Sequence, residues 1–242
     1  MDNLNKIKLA RKLIEDGKKF HYISNGKKRI YNTICKTKEL IKDKDKLLDI
    51  GGHPHLGHGY SFEEYIKILC DVEYNWVNRD KLDLRTKTLP YDTETFDIVI
   101  SHETIEHFWL LKRGGMLSWD GVINFWNECY RVLKRGGVFY LSTRNRVSPL
   151  AINHIFRNKP IQVAPSMLNR CGHVREFSPS DLRDIAIHTN LFLDNTIYSQ
   201  SSISILLQKY IDKQTLAMEK FLGKKFLQEE TYDSLHFISK KS

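Results

Sequence analysis

No run of about 18 apolar residues occurs in the 242-residue chain, so no segment reads as a membrane-spanning helix. The first residues, MDNLNKIKLARKL, have no unbroken apolar stretch and no small-residue cleavage site, so secretion is not expected. Cysteine is scarce. Cys35, Cys70, Cys129 and Cys171 stand far apart and form no CxxC pair. That spacing argues against a disulfide or zinc framework and fits reduced cysteines, some of them in a core, of a cytoplasmic protein. No internal repeat or low-complexity segment is present, which argues against a solenoid. What is there is ordinary: 41% hydrophobic and 28% charged residues, enough for one large domain with a full core.

Charge is unevenly spread. The net charge is +9, and residues 1–46 hold 14 Lys/Arg against 6 Asp/Glu. The remaining residues are close to balanced. A basic N-terminal segment suits a phosphate-bearing substrate, a nucleic acid or an anionic surface. Its acids and its lack of interleaved aromatics instead favour a solvated, lysine-rich helix face.

The chain is organised around Lys46–Gly59, KLLDIGGHPHLGHG. Leu47, Leu48 and Ile50 bracket Asp49, the pair Gly51-Gly52 follows, and Tyr60–Cys70 is anchored by apolar residues. A buried strand, a glycine turn and a helix are expected, the first crossover of a parallel α/β sheet.

Before that stretch, the apolar spacing predicts helices over residues 3–20 and Arg29–Lys42, with a turn at SNGK, residues 24–27. After it come a strand at Val72–Val77, a polar segment Asn78–Leu84 and a turn at Leu89–Asp92. Phe96–Ser101 reads as a buried parallel strand. Trp119–Leu133 reads as a helix, closed by the cations Lys134 and Arg135 and capped by Gly136-Gly137. A strand is expected at Val138–Thr143. The long irregular stretch 144–172 suggests a lid. Ser178 to Asp181 forms a capping box that opens a helix over Pro179–Thr189. Strands at Leu191–Tyr198 and Ser234–Ser239 flank a long helix, Ile203–Leu222, which packs on its own domain or forms a homodimer contact. The expected architecture is a doubly wound, mostly parallel sheet with an antiparallel last strand. Residues 1–45 form basic helices packed on a core of residues 46–242.

Four segments resemble, in order, the class I S-adenosylmethionine-dependent methyltransferases. They are LLDIGG at 47–52, LPYDTETFDIVISHETIEHF at 89–108, VLKRGGVFYLSTRN at 132–145 and GHVREFSPSDL at 172–182. The resemblance implies a seven-stranded Rossmann-like sheet, bound S-adenosyl-L-methionine and methyl transfer. It places Asp49, Gly51, Gly52 and His53 at the cofactor turn. Asn78, Asp80 and Asp83 are candidates for the ribose. Asp83-Leu84 falls at the adenine contact, and Ser101 and His102 line the methionine side. The chain departs from the family pattern at His53 and His55, where glycine is usual. The span from Asp49 to Leu89 is also short, so the helix after the second strand is expected to be missing or reduced to a turn.

For the chemistry, His107 and His173 are the candidate general bases, because imidazole titrates near neutral pH. Glu103, Glu106 and His107 have an ExxEH form resembling the metal-binding segment of small-RNA 2′-O-methyltransferases, with His173 as a fourth ligand. His53, His55 and His58 lie close together but match no standard zinc spacing. No metal is therefore assigned. Arg144, Arg146, Arg157, Lys159 and Arg170 surround the lid and suit a phosphorylated or nucleotide-linked acceptor. The expected function is methyl transfer to a small-molecule hydroxyl, of a sugar or glycan precursor. The alternatives are an RNA ribose 2′-O-methyltransferase and a non-catalytic cofactor-binding or scaffolding protein of the same fold.

Overall fold

In a computed structural model, the residues described are 33–52, 62–78, 81–111, 116–148, 151, 175–200, 213, 216, 219–220 and 234–242. Residues 33–40 are helical and form α1. Strand β1 (Lys46–Ile50) is buried along all but its first residue, as a central parallel strand must be. Helix α2 (Phe62–Leu69) leads to β2 (Glu73–Val77). Strand β3 (Phe96–His102) is followed by a one-turn 3-10 helix, Ile105–His107. A small hairpin, β4 (Leu110–Leu111) with β5 (Leu117–Ser118), precedes α3 (Asp120–Val132). Then come β6 (Leu133–Arg144), α4 (Pro179–Thr189), β7 (Asn195–Gln200) and β8 (Ser234–Lys240).

The main sheet has six strands in the order β2-β1-β3-β6-β8-β7. Strands β2, β1, β3 and β6 pair in parallel, and β8 runs antiparallel between β6 and β7. The expected antiparallel last strand is present, but the strand count is six among the described residues rather than seven. The difference lies between β2 and β3. None of residues 81–95 is helical or in a strand, so this connection supplies no additional edge strand. It is held by α3 instead. Asn124 donates to the Leu84 and Lys87 carbonyls at 2.8 and 2.9 Å. Glu128 accepts from the Leu89 N–H at 2.6 Å, and Arg131 donates to the Tyr91 and Leu89 carbonyls at 2.8 and 3.0 Å.

Period-two alternation sends neighbouring side chains to opposite faces. Leu48, Ile50, Val99, Phe139 and Leu141 join Phe125, Trp126 and Cys129 of α3 and Leu182, Ile185 and Ala186 of α4 in one core. Leu47, Ile98, Ile100 and Tyr140 pack with Ile34 of α1 and with Ile66 and Leu69 of α2 in the other. Each fully buried large side chain contributes roughly 1.5–3 kcal/mol.

Helix α4 has the bounds and the reciprocal Ser178–Asp181 capping box that its sequence predicts. The end of α3 differs. Gly136 and Gly137 do not cap it. The cap is Leu133, already extended at φ −77° and ψ 134°. The chain enters β6 at once, and the β3–β6 register jumps from Phe96↔Leu133 to Ile98↔Val138. Gly136, at φ 73°, lies in that irregular stretch. Lys134 is drawn off the helix end by Asp97, at 2.8 and 2.9 Å. Strand β7 begins four residues later than expected, because Asn190 and Phe192 take left-handed φ of 53° and 56° and turn the chain first. The expected helix at 3–20 lies outside the described residues, as do most of the expected helix Ile203–Leu222, of which residues 213, 216, 219 and 220 are helical, and most of the 144–172 lid.

Candidate active site

The chain runs from β1 outward to β2 and then returns to β3 on the other side of β1. Ligands of open α/β sheets bind at the carboxyl ends of the strands beside such a switch. The register brings these ends together: Ile50 lies opposite both Val77 and Ser101, and His102 lies opposite Ser142.

Gly51 leaves β1 with φ 96°, and its N–H donates to the Val77 carbonyl at 2.7 Å. A β-carbon on Gly51 would lie 2.1 Å from Thr104 Oγ1, and one on Gly52 would lie 2.5 Å from Asp49 Oδ2. The turn is therefore bare backbone wedged between Asp49 below and Thr104 beside it. It is the kind of surface that lets a polar ligand tail reach main-chain N–H groups. Asp49 is buried and accepts a hydrogen bond from the Tyr74 hydroxyl of β2. Burial pushes its carboxyl up to about 7, against the Tyr74 hydrogen bond, and the charge of Glu63 on α2 adds to the rise.

Ser101 does not present a free hydroxyl. Its Oγ donates to the Ile50 carbonyl at 3.1 Å and ties β3 to β1. His102 lies between Phe62 of α2 and Tyr140 of β6, with ring centroids 4.9 and 5.2 Å away. Its Nδ1 is 3.0 Å from Ser142 Oγ. Its Nε2 is buried and has no hydrogen-bond partner among the described residues. Burial, aided by nearby His236, pushes the imidazole down to about 3, so it is neutral at physiological pH.

After His102, Glu103 adopts a left-handed φ of 49°, and Thr104 Oγ1 donates to the His102 carbonyl at 2.8 Å. Glu106 is fully buried and accepts from Thr143 Oγ1 at 3.0 Å. Burial, with the adjacent Glu103, pushes its carboxyl up to about 8. His107 is half-buried in the 3-10 turn, its N–H bonded to the Thr104 carbonyl at 2.9 Å.

Asn78 follows β2. Its side-chain oxygen accepts from the Lys81 N–H at 3.1 Å and its carbonyl from Lys81 and Leu82, so it forms a turn. Asp83 is held by the Arg85 guanidinium at 2.8 and 2.7 Å, and Leu84 is buried in the core. Of the lid cations, Arg146 bonds Asp181 at 2.9 Å, and Arg144 faces Glu103 at 3.7 Å. His53, His55, His58, Asp80, Arg157, Lys159, Arg170 and His173 lie outside the described residues. Among the described residues no three His, Cys, Asp or Glu side chains converge as a metal site. The structure thus brings together Asp49, Gly51, Gly52, Ser101 and His102. It adds Tyr74, Thr104 and Ser142, which the sequence reading missed. Tyr74 had a signal: in a parallel neighbour of β1, alternation puts Tyr74 and Trp76 on the face of Asp49.

A family model described as a methyltransferase domain matches residues 73–141, from β2 into β6. A Mycolicibacterium smegmatis protein described as a probable S-adenosylmethionine-dependent methyltransferase is 37% identical over 60 residues, 25% of this chain and 19% of its own length. The crystal structure of an Archaeoglobus fulgidus methyltransferase superposes with a TM-score of 0.53 at 16% identity, covering 87% of this chain and 92% of that one. Residues 73–141 are thus similar to a methyltransferase domain, and the superposition shows a shared fold. A Haemonchus contortus phosphoethanolamine N-methyltransferase 2 structure, in complex with S-adenosyl-L-methionine, has a TM-score of 0.49 at 15% identity, covering 87% of this chain and 51% of that one. The chain thus spans about half of that methyltransferase and a fifth of the mycobacterial relative. No helix among the described residues is long and apolar enough to cross a membrane.

Proposed function

We propose that this chain binds S-adenosyl-L-methionine and transfers its methyl group to a hydroxyl of a small molecule, with a sugar or glycan precursor as the acceptor class. The observation that carries the reading is the wedged turn at Gly51-Gly52, where Thr104 and Asp49 leave no room for a side chain, as a turn approached closely by a cofactor's polar tail requires. When bound, the cofactor supplies an activated methyl group on a sulfonium. Asp49 faces the ammonium end, where a carboxylate under a glycine turn offers the complementary charge. Asp83 and Asn78 stand on the ribose and adenine side. His53, next in sequence, is a further candidate for cofactor contact, and Ser101 ties β3 to β1.

Methyl transfer depends on holding the acceptor in line with the sulfonium, so positioning supplies much of the rate. His102 suits that task. Its ring is anchored through Nδ1, and Nε2 is the nitrogen left over for a ligand. A neutral imidazole beside Ser142 and Thr104 favours an uncharged hydroxyl over an alkylammonium group. His107 and His173 remain the candidates for taking the acceptor's proton. Among the described lid cations, Arg144 supports a phosphorylated acceptor better, since its pairing with Glu103 at 3.7 Å is looser than that of Arg146 with Asp181 at 2.9 Å.

The test is transfer of labelled methyl from S-adenosyl-L-methionine to matched panels of sugars, nucleotide-sugars and amines. Label in the hydroxyl compounds supports the proposal. Label confined to the amines overturns the acceptor class, and an absence of S-adenosylhomocysteine binding in calorimetry overturns the enzyme.

A further inference from the structure

We propose that Tyr74 is a positioning residue for the cofactor. Its hydroxyl, donated to Asp49 beneath the glycine turn, orients the Asp49 carboxylate toward the ammonium group of S-adenosyl-L-methionine. The inference rests on the reading of Asp49 as a cofactor residue and goes beyond it, by assigning a role to a side chain on the neighbouring strand.

Three observations carry it. Tyr74 stands opposite Leu47 in the β1–β2 register, so its side chain lies on the face that also carries Asp49. Its hydroxyl donates to Asp49 Oδ2, and that same oxygen lies 2.5 Å from where a Gly52 β-carbon would be. The bond therefore fixes the oxygen that underlies the turn. Third, Asp49 has no cationic partner among the described residues. Glu63 of α2 is the other charged group acting on it, and it repels. Glu63 is itself paired with Lys67, one turn along α2. Ile100 of β3, opposite Asp49 in the other register, carries no charge.

A buried carboxylate with one donor and no cation keeps its charge poorly. Asp49 accordingly titrates at about 7. An ammonium ligand binds the ionised form, so cofactor affinity rises as pH rises through that value. The Tyr74 hydrogen bond opposes the upward shift, so removing it moves the rise to higher pH. Tyr74 itself stays protonated, because burial and Asp49 push its phenol well up.

The experiment is calorimetry of S-adenosylhomocysteine binding from about pH 6 to about pH 9. It compares wild type, Tyr74→Phe, Asp49→Asn and a protein carrying 3-fluorotyrosine at position 74. That analogue keeps the shape of tyrosine and donates more strongly. Wild-type affinity is expected to rise through about pH 7. Tyr74→Phe moves the rise up by about one pH unit, which lowers affinity at neutral pH roughly fivefold and restores it near the alkaline end. The fluorinated protein moves the rise down, and Asp49→Asn removes it. A rise at the wild-type pH in both Tyr74 variants, with Asp49→Asn flat, overturns the role of Tyr74 and leaves Asp49 standing. A wild-type profile that matches Asp49→Asn overturns Asp49 as the ammonium partner, and Tyr74 with it.

Discussion

Thr104 occupies the space that a side chain on Gly51 would need: an added β-carbon there would lie 2.1 Å from Thr104 Oγ1. The turn after β3 and the turn after β1 are thus fitted to each other, and the glycine turn rests on a residue some fifty positions downstream. Gly51 also has φ 96°, where an L side chain is strained whatever the space. Gly51→Ala is therefore expected to weaken S-adenosylhomocysteine binding at least about tenfold, the clash and the strain together exceeding about 1.4 kcal/mol. The double variant Gly51→Ala/Thr104→Ala, which leaves only the residue 104 β-carbon at 2.9 Å, recovers most of the part due to the clash and not the part due to φ. Calorimetry on the three proteins separates the two.

The His102–Ser142 pair leads to a split in kinetics. Ser142 holds the ring through Nδ1. Ser142→Ala should lower kcat by about tenfold, as expected when a positioning contact of about 1.4 kcal/mol is lost. S-adenosylhomocysteine affinity should stay within about twofold. His102 titrates near 3, so its own protonation leaves no limb in the pH–rate profile between about pH 5 and 8. Steady-state kinetics with any acceptor that takes label checks both statements.

Glu106 ties stability to pH. Its carboxyl titrates at about 8 in the fold against an ordinary value of 4.5. Between these values the folded state binds a proton that the unfolded state has released, so stability falls as pH rises through the window. Below the window both states are protonated and the group makes no difference. Glu106→Gln keeps a neutral side chain in place and should remove this loss. Urea unfolding at pH 5 and pH 8 should show a smaller fall for the variant than for wild type, with the gain concentrated at pH 8.

Trp126 is the largest fully buried side chain among the described residues and meets Phe139, Phe192 and Phe237 at 5.5, 5.6 and 5.0 Å. Trp126→Ala should cost about 3–5 kcal/mol in denaturant unfolding, because it leaves a cavity where α3, β6 and β8 meet. Arg135→Ala is the contrast. Its side chain is 82% exposed and its contact with Glu94 is 3.4 Å, so it should change stability little.

Local chemistry made much of the fold legible. Ser178, Pro179 and Asp181 mark the start of α4 unambiguously, since a capping box needs only neighbours in sequence. Leu47, Leu48 and Ile50 mark a buried strand in the same way. What failed depended on partners far along the chain. Gly136-Gly137 reads as a helix cap until Asp97 takes Lys134 and the β3–β6 pairing claims the whole stretch. The seventh strand was carried over from the family, whereas the shortness of the segment before Phe96 already pointed away from the helix beside it. At the candidate site, Gly51 and Gly52 were readable as a turn because φ and close contacts there exclude a side chain. Tyr74, Thr104 and Ser142 were not, because each acts across the sheet on a residue 25 to 53 positions away, and only the register sets them face to face. Asp83 was readable as an acid at a strand end but not as the partner of Arg85, a contact that depends on how the turn closes.

In the proposed complex the turn at Gly51-Gly52 holds S-adenosyl-L-methionine with its sulfur toward His102. An electron-density map of crystals grown with S-adenosylhomocysteine would show this. The amino-acid end is expected on the Gly51-Gly52 backbone above Asp49, with the sulfur near the carboxyl end of β3. Clear density for the ligand at any other edge of the sheet, or an empty turn in crystals soaked at saturating ligand, would contradict it.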